Sequence, residues 1–192
     1  MKNLQSRVYA SIFVVCVLLL GTIFASVESQ TNNEVKVETS EGLTAKNVKI
    51  VQINDIPHVR FSVFTESDLL ISKLKVRVLG YDNEGNIIAG SLRLLNDLDI
   101  SKGAKFGSVL ALNPDLKPAD HYFVQITSAQ SSQNTETFQK ASLKQQGNCG
   151  SDFCAQCSQE ARTSCGAGKI GRVTCDQTNC TCDYSCRSPG QP

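Results

Sequence analysis

Hydrophobic and polar residues alternate along much of the chain between residues 43 and 143. Val59, Phe61 and Val63 are separated by polar or charged residues, and the same period of two returns at residues 74–78 and 122–126. Alternation of this kind predicts strands that bury one face. We predict seven short strands, at residues 48–53, 59–63, 74–78, 87–95, 106–112, 122–126 and 137–143.

Turn residues separate these predicted strands. Gly85 closes the polar segment 82–85, where it can supply the positive φ that many turns need, and Asn113-Pro114 interrupts the chain after the fifth strand. Short strands with turns between them are typical of an antiparallel β-sandwich. The predicted fold class is therefore mainly β, with a sandwich over residues 43–143 and a small disulfide-rich αββ module over residues 149–192.

The segments that flank the predicted sandwich are polar. Residues 30–42 are acidic-leaning and are predicted to form a short flexible lead, while residues 144–148 are predicted to link the sandwich to the C-terminal module. This division gives one ordinary domain followed by a small one.

The N-terminal residues 1–29 have the features of a secretory signal peptide. Lys2 and Arg7 precede residues 8–24, a run without a charged side chain, and small residues follow it. Cleavage is expected before Gln30 or, alternatively, after Ala25. A membrane partner is expected only if the segment stays uncut, in which case the positive-inside rule places the rest of the chain outside the cytoplasm.

Eight of the nine cysteines lie close together near the C-terminus, at Cys149, Cys154, Cys157, Cys165, Cys175, Cys180, Cys182 and Cys186. The ninth, Cys16, falls in the apolar N-terminal run. An even number of crowded cysteines in an exported chain predicts structural disulfides. Four thiolates could alternatively bind zinc, but that chemistry needs a reducing compartment, so we expect neither a metal nor a cofactor.

The cysteine-rich region is predicted to contain one helix and a hairpin. Ser151 or Asp152 is a suitable N-cap, and residues 153–163 contain neither glycine nor proline. The helical cysteines and Ala161 then fall on one face. Residues 170–175 and 180–186 are predicted to form the two strands of the hairpin.

Two parts of the chain resemble known families. Residues 76–88, in which Tyr81-Asp82 precedes Gly85, resemble the core of FxLYD-type domains, with Leu79, Gly80 and Tyr81 at the positions of the name motif. That resemblance implies an extracytoplasmic sandwich with a binding or spacer role and no catalytic residues. The helix and hairpin of residues 149–192 look like the cysteine-stabilised αβ scaffold of defensins and scorpion toxins.

The faces of the predicted helix and strand suggest how the cysteines pair. Cys154 and Cys157 share a helical face and are expected to bond to Cys180 and Cys182, in either order, since one intervening residue prevents a Cys180–Cys182 bond. The ends of the module would be closed by a bond between Cys149 and Cys186. Cys165 is then left to bond with Cys175.

Charge excludes some functions. The net charge is +1, and the region after Cys149 carries four acidic and four basic residues. Neither nucleic-acid binding nor a membrane-lytic activity is therefore expected. Lys73, Lys75 and Arg77 form a basic strand face that is expected to guard an edge or to solvate a surface.

The candidate chemical groups are few. His58 and His121 are the only histidines, and the chain contains no catalytic serine elbow or zinc-protease motif, so we expect no enzyme activity. Asn179-Cys180-Thr181 matches the N-glycosylation sequon, although Asn179 also suits a plain turn. Lys169 lies in the glycine-rich segment 166–171, where a protease inhibitor would present its reactive loop.

The sequence therefore favours a secreted or cell-envelope protein with a binding or structural role and no catalytic activity. Its expected partner is an extracellular protein or surface ligand whose identity the sequence does not define. The alternatives are a defence peptide or toxin, or a protease inhibitor, carried on a β-sandwich.

Overall fold

The fold is built mainly of strands. The computed structural model describes residues 29–30, 33–68, 70–131, 149–166 and 168–187. Within these ranges there are ten strands, one α-helix and a short 3-10 helix at Pro114–Leu116. The elements are β1 (Ser29–Gln30), β2 (Glu34–Thr39), β3 (Leu43–Ile53), β4 (Ile56–Thr65), β5 (Leu70–Tyr81), β6 (Ile87–Leu95), β7 (Lys105–Ala111), β8 (His121–Ser131), α1 (Phe153–Cys165), β9 (Ile170–Asp176) and β10 (Thr181–Cys186).

The strands form two packed sheets. One has four strands in the order β1-β3-β4-β7, and the other has six in the order β2-β8-β5-β6-β10-β9. Neighbouring strands are antiparallel except β2 and β8, which run parallel. The inward side chains of both sheets meet in one core, which includes Phe61, Val63, Val76, Val124 and Ile126. The predicted β-rich sandwich is thus confirmed.

The alternating patterns account for the strands that were predicted. In β4 every second residue from Pro57 to Thr65 is buried, and β6 begins and ends at the predicted residues. Burying one such aliphatic or aromatic side chain contributes about 1.5–3 kcal/mol, so the alternation fixes which face of each strand points inward.

Residues 34–39 correct the prediction of a flexible lead. They form β2, in which Val35 lies beside Tyr122 and Val37 beside Val124 in the register with β8. The strand has only two large apolar residues, and its partner lies more than 80 residues away in sequence. A local pattern search therefore undervalues it. The predicted signal segment before Ser29, the predicted strand 137–143 and the linker 144–148 lie outside the described residues.

The C-terminal hairpin continues the six-stranded sheet. Strand β10 pairs with β6, with Cys182 opposite Leu92 and Tyr184 opposite Gly90. The boundary predicted from the sequence therefore separates two stretches of chain that share one sheet.

Polar side chains on the inner face of the six-stranded sheet connect β10 to the sandwich by hydrogen bonds. Arg93 donates to both carboxylate oxygens of Asp183, at 2.8 and 3.1 Å, and Ser91 donates to the same carboxylate at 2.6 Å. The side-chain amide of Asn113 donates to the carbonyl of Tyr184 at 2.9 Å. Arg93 and Asn113 are both buried, so these paired polar groups tie β10 to β6 and to the segment after β7.

Helix α1 lies on the outer face of the six-stranded sheet. It begins after Asp152, and its last residue, Cys165, is followed by Gly166, whose φ is 82°. A second buried cluster forms between the helix and the sheet, containing Leu79, Leu92, Phe153, Cys157, Ala161, Cys165, Cys182 and Tyr184. The molecule therefore has three layers, because the helix covers strands that also form the sandwich.

Four disulfides join the helix region to the hairpin: Cys149–Cys180, Cys154–Cys175, Cys157–Cys182 and Cys165–Cys186. The Cys157–Cys182 bond is one of the two options left open for that helical cysteine. The other predicted bonds are wrong: Cys154 bonds to neither Cys180 nor Cys182, and neither Cys149–Cys186 nor Cys165–Cys175 forms.

The position of Cys180 explains these differences. Cys180 precedes β10 in a turn with φ 54°, so it does not share a strand face with Cys182 and reaches Cys149 instead. Cys175 of β9 is the direct partner of Cys182 in the hairpin. The helical pair therefore meets one cysteine on each strand, and the last helical residue, Cys165, meets the end of β10.

Tyr184 lies across the backbone of Gly90. A Cβ atom at Gly90 would lie 2.3 Å from Cζ and 2.4 Å from Oη of Tyr184, far inside van der Waals contact. Only glycine leaves room for the ring at this point of β6. The ring in turn fills the space between β6 and the helix.

We predict that Gly90→Ala lowers the free energy of unfolding by about 1–3 kcal/mol, because the ring of Tyr184 must move to make room for the added methyl group. Chemical denaturation measures the change. Gly107→Ala in β7 is the matched control, since an added Cβ there meets its nearest atom at an ordinary 3.6 Å. Equal effects of the two substitutions would contradict the packing described for Tyr184.

Candidate functional site

The helix covers only part of the outer face of the six-stranded sheet, and a groove lies beside it. The groove has a volume of about 670 Å³ and runs between the last turn of α1 and the outer faces of β5, β8 and β2. We call it the helix-side groove. Its lining includes Leu79, Tyr81, Phe123, Ile87, Arg77, His121, Glu34, Lys36, Glu38, Thr163 and Ser164.

The floor of the helix-side groove is apolar and aromatic. Phe123 pairs with Leu79 on one side and with Lys36 on the other, while His121 pairs with Tyr81 in the next row. Residues paired across neighbouring strands point to the same side of a sheet, so these side chains form adjacent rows. Leu79 is buried under the helix edge, whereas Tyr81 and Phe123 are half-buried and face the open space.

The rim of the groove is charged with both signs. Glu34, Lys36 and Glu38 alternate along the exposed face of β2, the outermost strand at this side of the sheet as described. Nδ1 of His121 lies 3.9 Å from a carboxylate oxygen of Glu34. A ligand in the groove would therefore meet an apolar surface below and both carboxylates and cations at the side.

A polar network forms the wall on the helix side. Arg77 of β5 forms an ion pair with Glu160 of α1, and its Nη2 donates to Oγ of Ser164 at 3.0 Å. Ser164 also accepts from Oη of Tyr184 at 2.9 Å and donates to Glu160 at 3.2 Å. The network connects β5, β10 and the helix along one side of the groove.

Burial changes the acidity of one member of this network. The loss of solvent around Tyr184 raises its pKa to about 12, against a partial opposing effect of the hydrogen bond with Ser164. Tyr184 is 1% exposed, so it stays protonated and donates its hydrogen bond at physiological pH.

The two histidines lie on different sheets. His58 is on the outer face of the four-stranded sheet, with Nδ1 2.8 Å from the carbonyl of Ile56, whereas His121 lies in the helix-side groove. The structure therefore does not bring them into one site. Within the described ranges, no group of three or more histidine, cysteine, aspartate or glutamate side chains is arranged to hold a metal.

The basic residues of β5 do not guard an edge. Strand β5 lies in the middle of the six-stranded sheet, between β8 and β6, so of the two expected roles the one at a sheet edge is wrong, and the solvated surface is the alternative that is left. Lys73 and Lys75 face outward with Arg77, but only the position of Arg77 beside α1 brings it to Glu160.

The turn that contains Asn179 is held by hydrogen bonds. The side chain of Asn179 is exposed and donates to Asp176 at 2.7 Å, and backbone donors in the same turn lower the pKa of the Asp176 carboxyl. The middle residue of the sequon, Cys180, is buried in its bond to Cys149. Asn179 thus serves the turn, and its modification stays a prediction.

The segment around Lys169 is a tight turn. The amide of Lys169 donates to the carbonyl of Gly166 at 3.2 Å, and its own carbonyl accepts from the amide of Arg187 at 2.7 Å. The Cys165–Cys186 bond closes the same end of the module. Lys169 is exposed, but its backbone is folded back rather than extended.

Comparison of the chain with protein-family models, with curated proteins and with solved structures gives no match. In the described part of the chain, no helix combines the length and the hydrophobicity that a membrane crossing requires. The groove therefore has to be interpreted from its own residues.

The helix-side groove could not be predicted from the sequence, for two reasons. Its rim belongs to β2, which lies in the segment that the sequence predicts to be a flexible lead, and its wall is formed by a helix that is more than 70 residues from β5 in sequence. The one available signal was the charged alternation of Glu34, Lys36 and Glu38, which fits a strand with one exposed face.

We predict that the stability of the protein falls as the pH rises from about 10 to about 12. The pKa of Tyr184 is about 12 in the folded protein and about 10 in the unfolded chain, so its contribution is complete below pH 10 and is lost as pH approaches the folded value. Denaturant unfolding at several pH values measures this. Tyr184→Phe should be less stable at neutral pH but should lose less stability over that interval. Parallel pH profiles of the two proteins would contradict the assignment.

Proposed function

We propose that the protein is a non-catalytic binding protein of the extracytoplasmic space, and that the helix-side groove holds an extended segment of a partner protein. The observation that carries the proposal is the presence of two half-buried aromatic side chains, Tyr81 and Phe123, in an open groove beside an outermost strand. An exposed sheet edge next to side-chain pockets is a common way to bind an extended peptide.

The groove suits a peptide in both size and chemistry. Its volume is in the range of typical ligand sites, and its aromatic floor would take an apolar side chain. Glu34, Lys36 and Glu38 along β2 would then select the charges of the neighbouring residues. The polar backbone of the segment would meet the rim.

Two further features support a role outside the cytoplasm. All eight cysteines of the C-terminal region are paired, which suits an oxidising compartment. The N-terminal run of residues 8–24 agrees with export, by cleavage or by anchoring. The resemblance of residues 76–88 to FxLYD-type domains also favours a binding role.

The alternative functions have less support. A defence peptide acts as a separate unit, whereas β10 is a strand of the sandwich and its Tyr184 is buried against β6. A substrate-like protease inhibitor needs an extended reactive loop, whereas the backbone of Lys169 is hydrogen-bonded on both sides. A binding protein requires neither property.

The proposal predicts that extended peptides selected from a displayed random library bind through Phe123. We expect Phe123→Asp to weaken the selected peptides at least about tenfold, because a carboxylate replaces the apolar floor. Titration of each purified variant with one synthetic selected peptide measures the affinity.

Val173→Asp is the matched control. Val173 is a 37% exposed residue on β9 and lies outside the groove, so its replacement should leave peptide affinity unchanged. Both variants must first show wild-type thermal unfolding. Selected peptides that bind Phe123→Asp as tightly as the wild type would exclude the groove as the binding site.

A further inference from the structure

The four-stranded sheet has an unusual charge distribution. The described strands β3, β4 and β7 contain no aspartate or glutamate, but they carry Lys46, Lys49, His58, Arg60 and Lys105. The net charge of the whole chain is only +1, so this sheet is a local concentration of positive charge. It lies on the side of the molecule opposite to the helix-side groove.

Strand register brings these cations onto the outer face of the sheet. In β4 the residues Val59, Phe61 and Val63 are buried, so Arg60 and its alternate neighbours point outward. Lys49 lies directly opposite Arg60 on β3, and Lys105 of β7 lies opposite Phe64. Like charges in directly opposed positions do not stabilise a sheet through their mutual contact.

Two of the carboxylates next to these strands are engaged elsewhere. Asp55, in the turn between β3 and β4, pairs with Lys117 at 2.9 Å, and Asp68 pairs with Lys102 at 2.9 Å. Each carboxylate therefore has a cation of its own outside the three strands. The positive charge of the face stays uncompensated by these two carboxylates.

Apolar side chains are mixed with the cations. Val109 of β7 lies opposite Arg60 and is 44% exposed, and Ile56, the first residue of β4, is 39% exposed. Nζ of Lys46 lies 4.8 Å from the centre of the Phe64 ring. Surfaces that combine basic and apolar side chains suit the boundary between lipid headgroups and acyl chains.

The chain also enters the fold at this sheet. Strand β1 pairs with β3 at Val51 and Gln52, and only residues 25–28 separate it from the uncharged run of residues 8–24. If that run remains in a bilayer, four residues join the bilayer to the edge of the basic sheet.

We propose that the outer face of the four-stranded sheet, with Lys46, Lys49 and Lys105 as its main cations, docks on a membrane surface that contains anionic lipids. The lysines contact phosphate groups, and Phe64 and Val109 lie at the level of the headgroups. This orientation directs the helix-side groove away from the membrane, toward a partner.

Vesicle sedimentation tests the proposal with a chain that starts at Ser29, since every described element lies at or after that residue. The probe is vesicles of phosphatidylcholine with an equal part of phosphatidylglycerol, compared with phosphatidylcholine alone, in low-salt buffer. We expect binding to the anionic vesicles only, and a marked decrease as salt is added.

The decisive variant is Lys46→Gln/Lys49→Gln/Lys105→Gln, which should bind the anionic vesicles about a hundredfold more weakly. The matched control, Lys73→Gln/Lys75→Gln/Lys169→Gln, has the same net charge but changes residues outside this sheet, so it should bind like the wild type. Thermal unfolding verifies that both variants are folded.

Three results would overturn the proposal. The first is that the protein does not sediment with anionic vesicles. The second is that both triple variants lose vesicle binding equally, which would mean that binding depends on net charge and not on this face. The third is binding to a soluble anionic polysaccharide with none to the vesicles, which would assign the face to a polyanion instead of a membrane.

Discussion

The packing of Tyr184 across Gly90 is the contact on which the architecture depends. Tyr184 belongs to the cysteine-rich segment, Gly90 to the sandwich, and Ser164, which accepts the tyrosine hydroxyl, to the helix. One side chain thus joins the cysteine-rich hairpin, strand β6 of the sandwich and the helix. Because Gly90 has no Cβ, the hydroxyl end of the ring lies directly against β6, and the helix packs over the same side of the sheet. The neighbouring Cys157–Cys182 bond holds the helix at the same level.

This arrangement gives the two sheets different outer faces. The helix covers the part of the six-stranded sheet that contains β6 and β10 and leaves an aromatic groove over β5 and β8. The four-stranded sheet carries no such layer and presents basic and apolar side chains. A protein that is held at a surface by one face and binds a partner with the other would be built in this way.

The sequence was enough to predict the features of this structure that depend on neighbouring residues. The alternation in β4, β5 and β8 and the absence of glycine and proline from residues 153–163 were enough to predict strands, helix and sandwich. These features depend on neighbouring residues and on the burial of one face, so a single sequence reveals them.

The long-range part was not accessible in the same way. The parallel pairing of β2 with β8 and the addition of β10 to β6 join segments that are distant in sequence, and no local pattern specifies such partners. The disulfide prediction failed at Cys180 because a positive φ in a residue other than glycine has no sequence signal. The groove needs both long-range pairings, so only the fold reveals it.

The central claim is that the cysteine-rich segment is a structural part of the sandwich and not an appended module. Thermal unfolding of a chain that starts at Ser29 and ends at Gln146 tests it most directly. Removal of the segment would expose Leu79 and Leu92 and leave β6 as an open edge, so we expect no cooperative transition near the temperature at which the chain from Ser29 to Pro192 unfolds. A shortened chain that unfolds cooperatively at the same temperature as the longer one would contradict the claim.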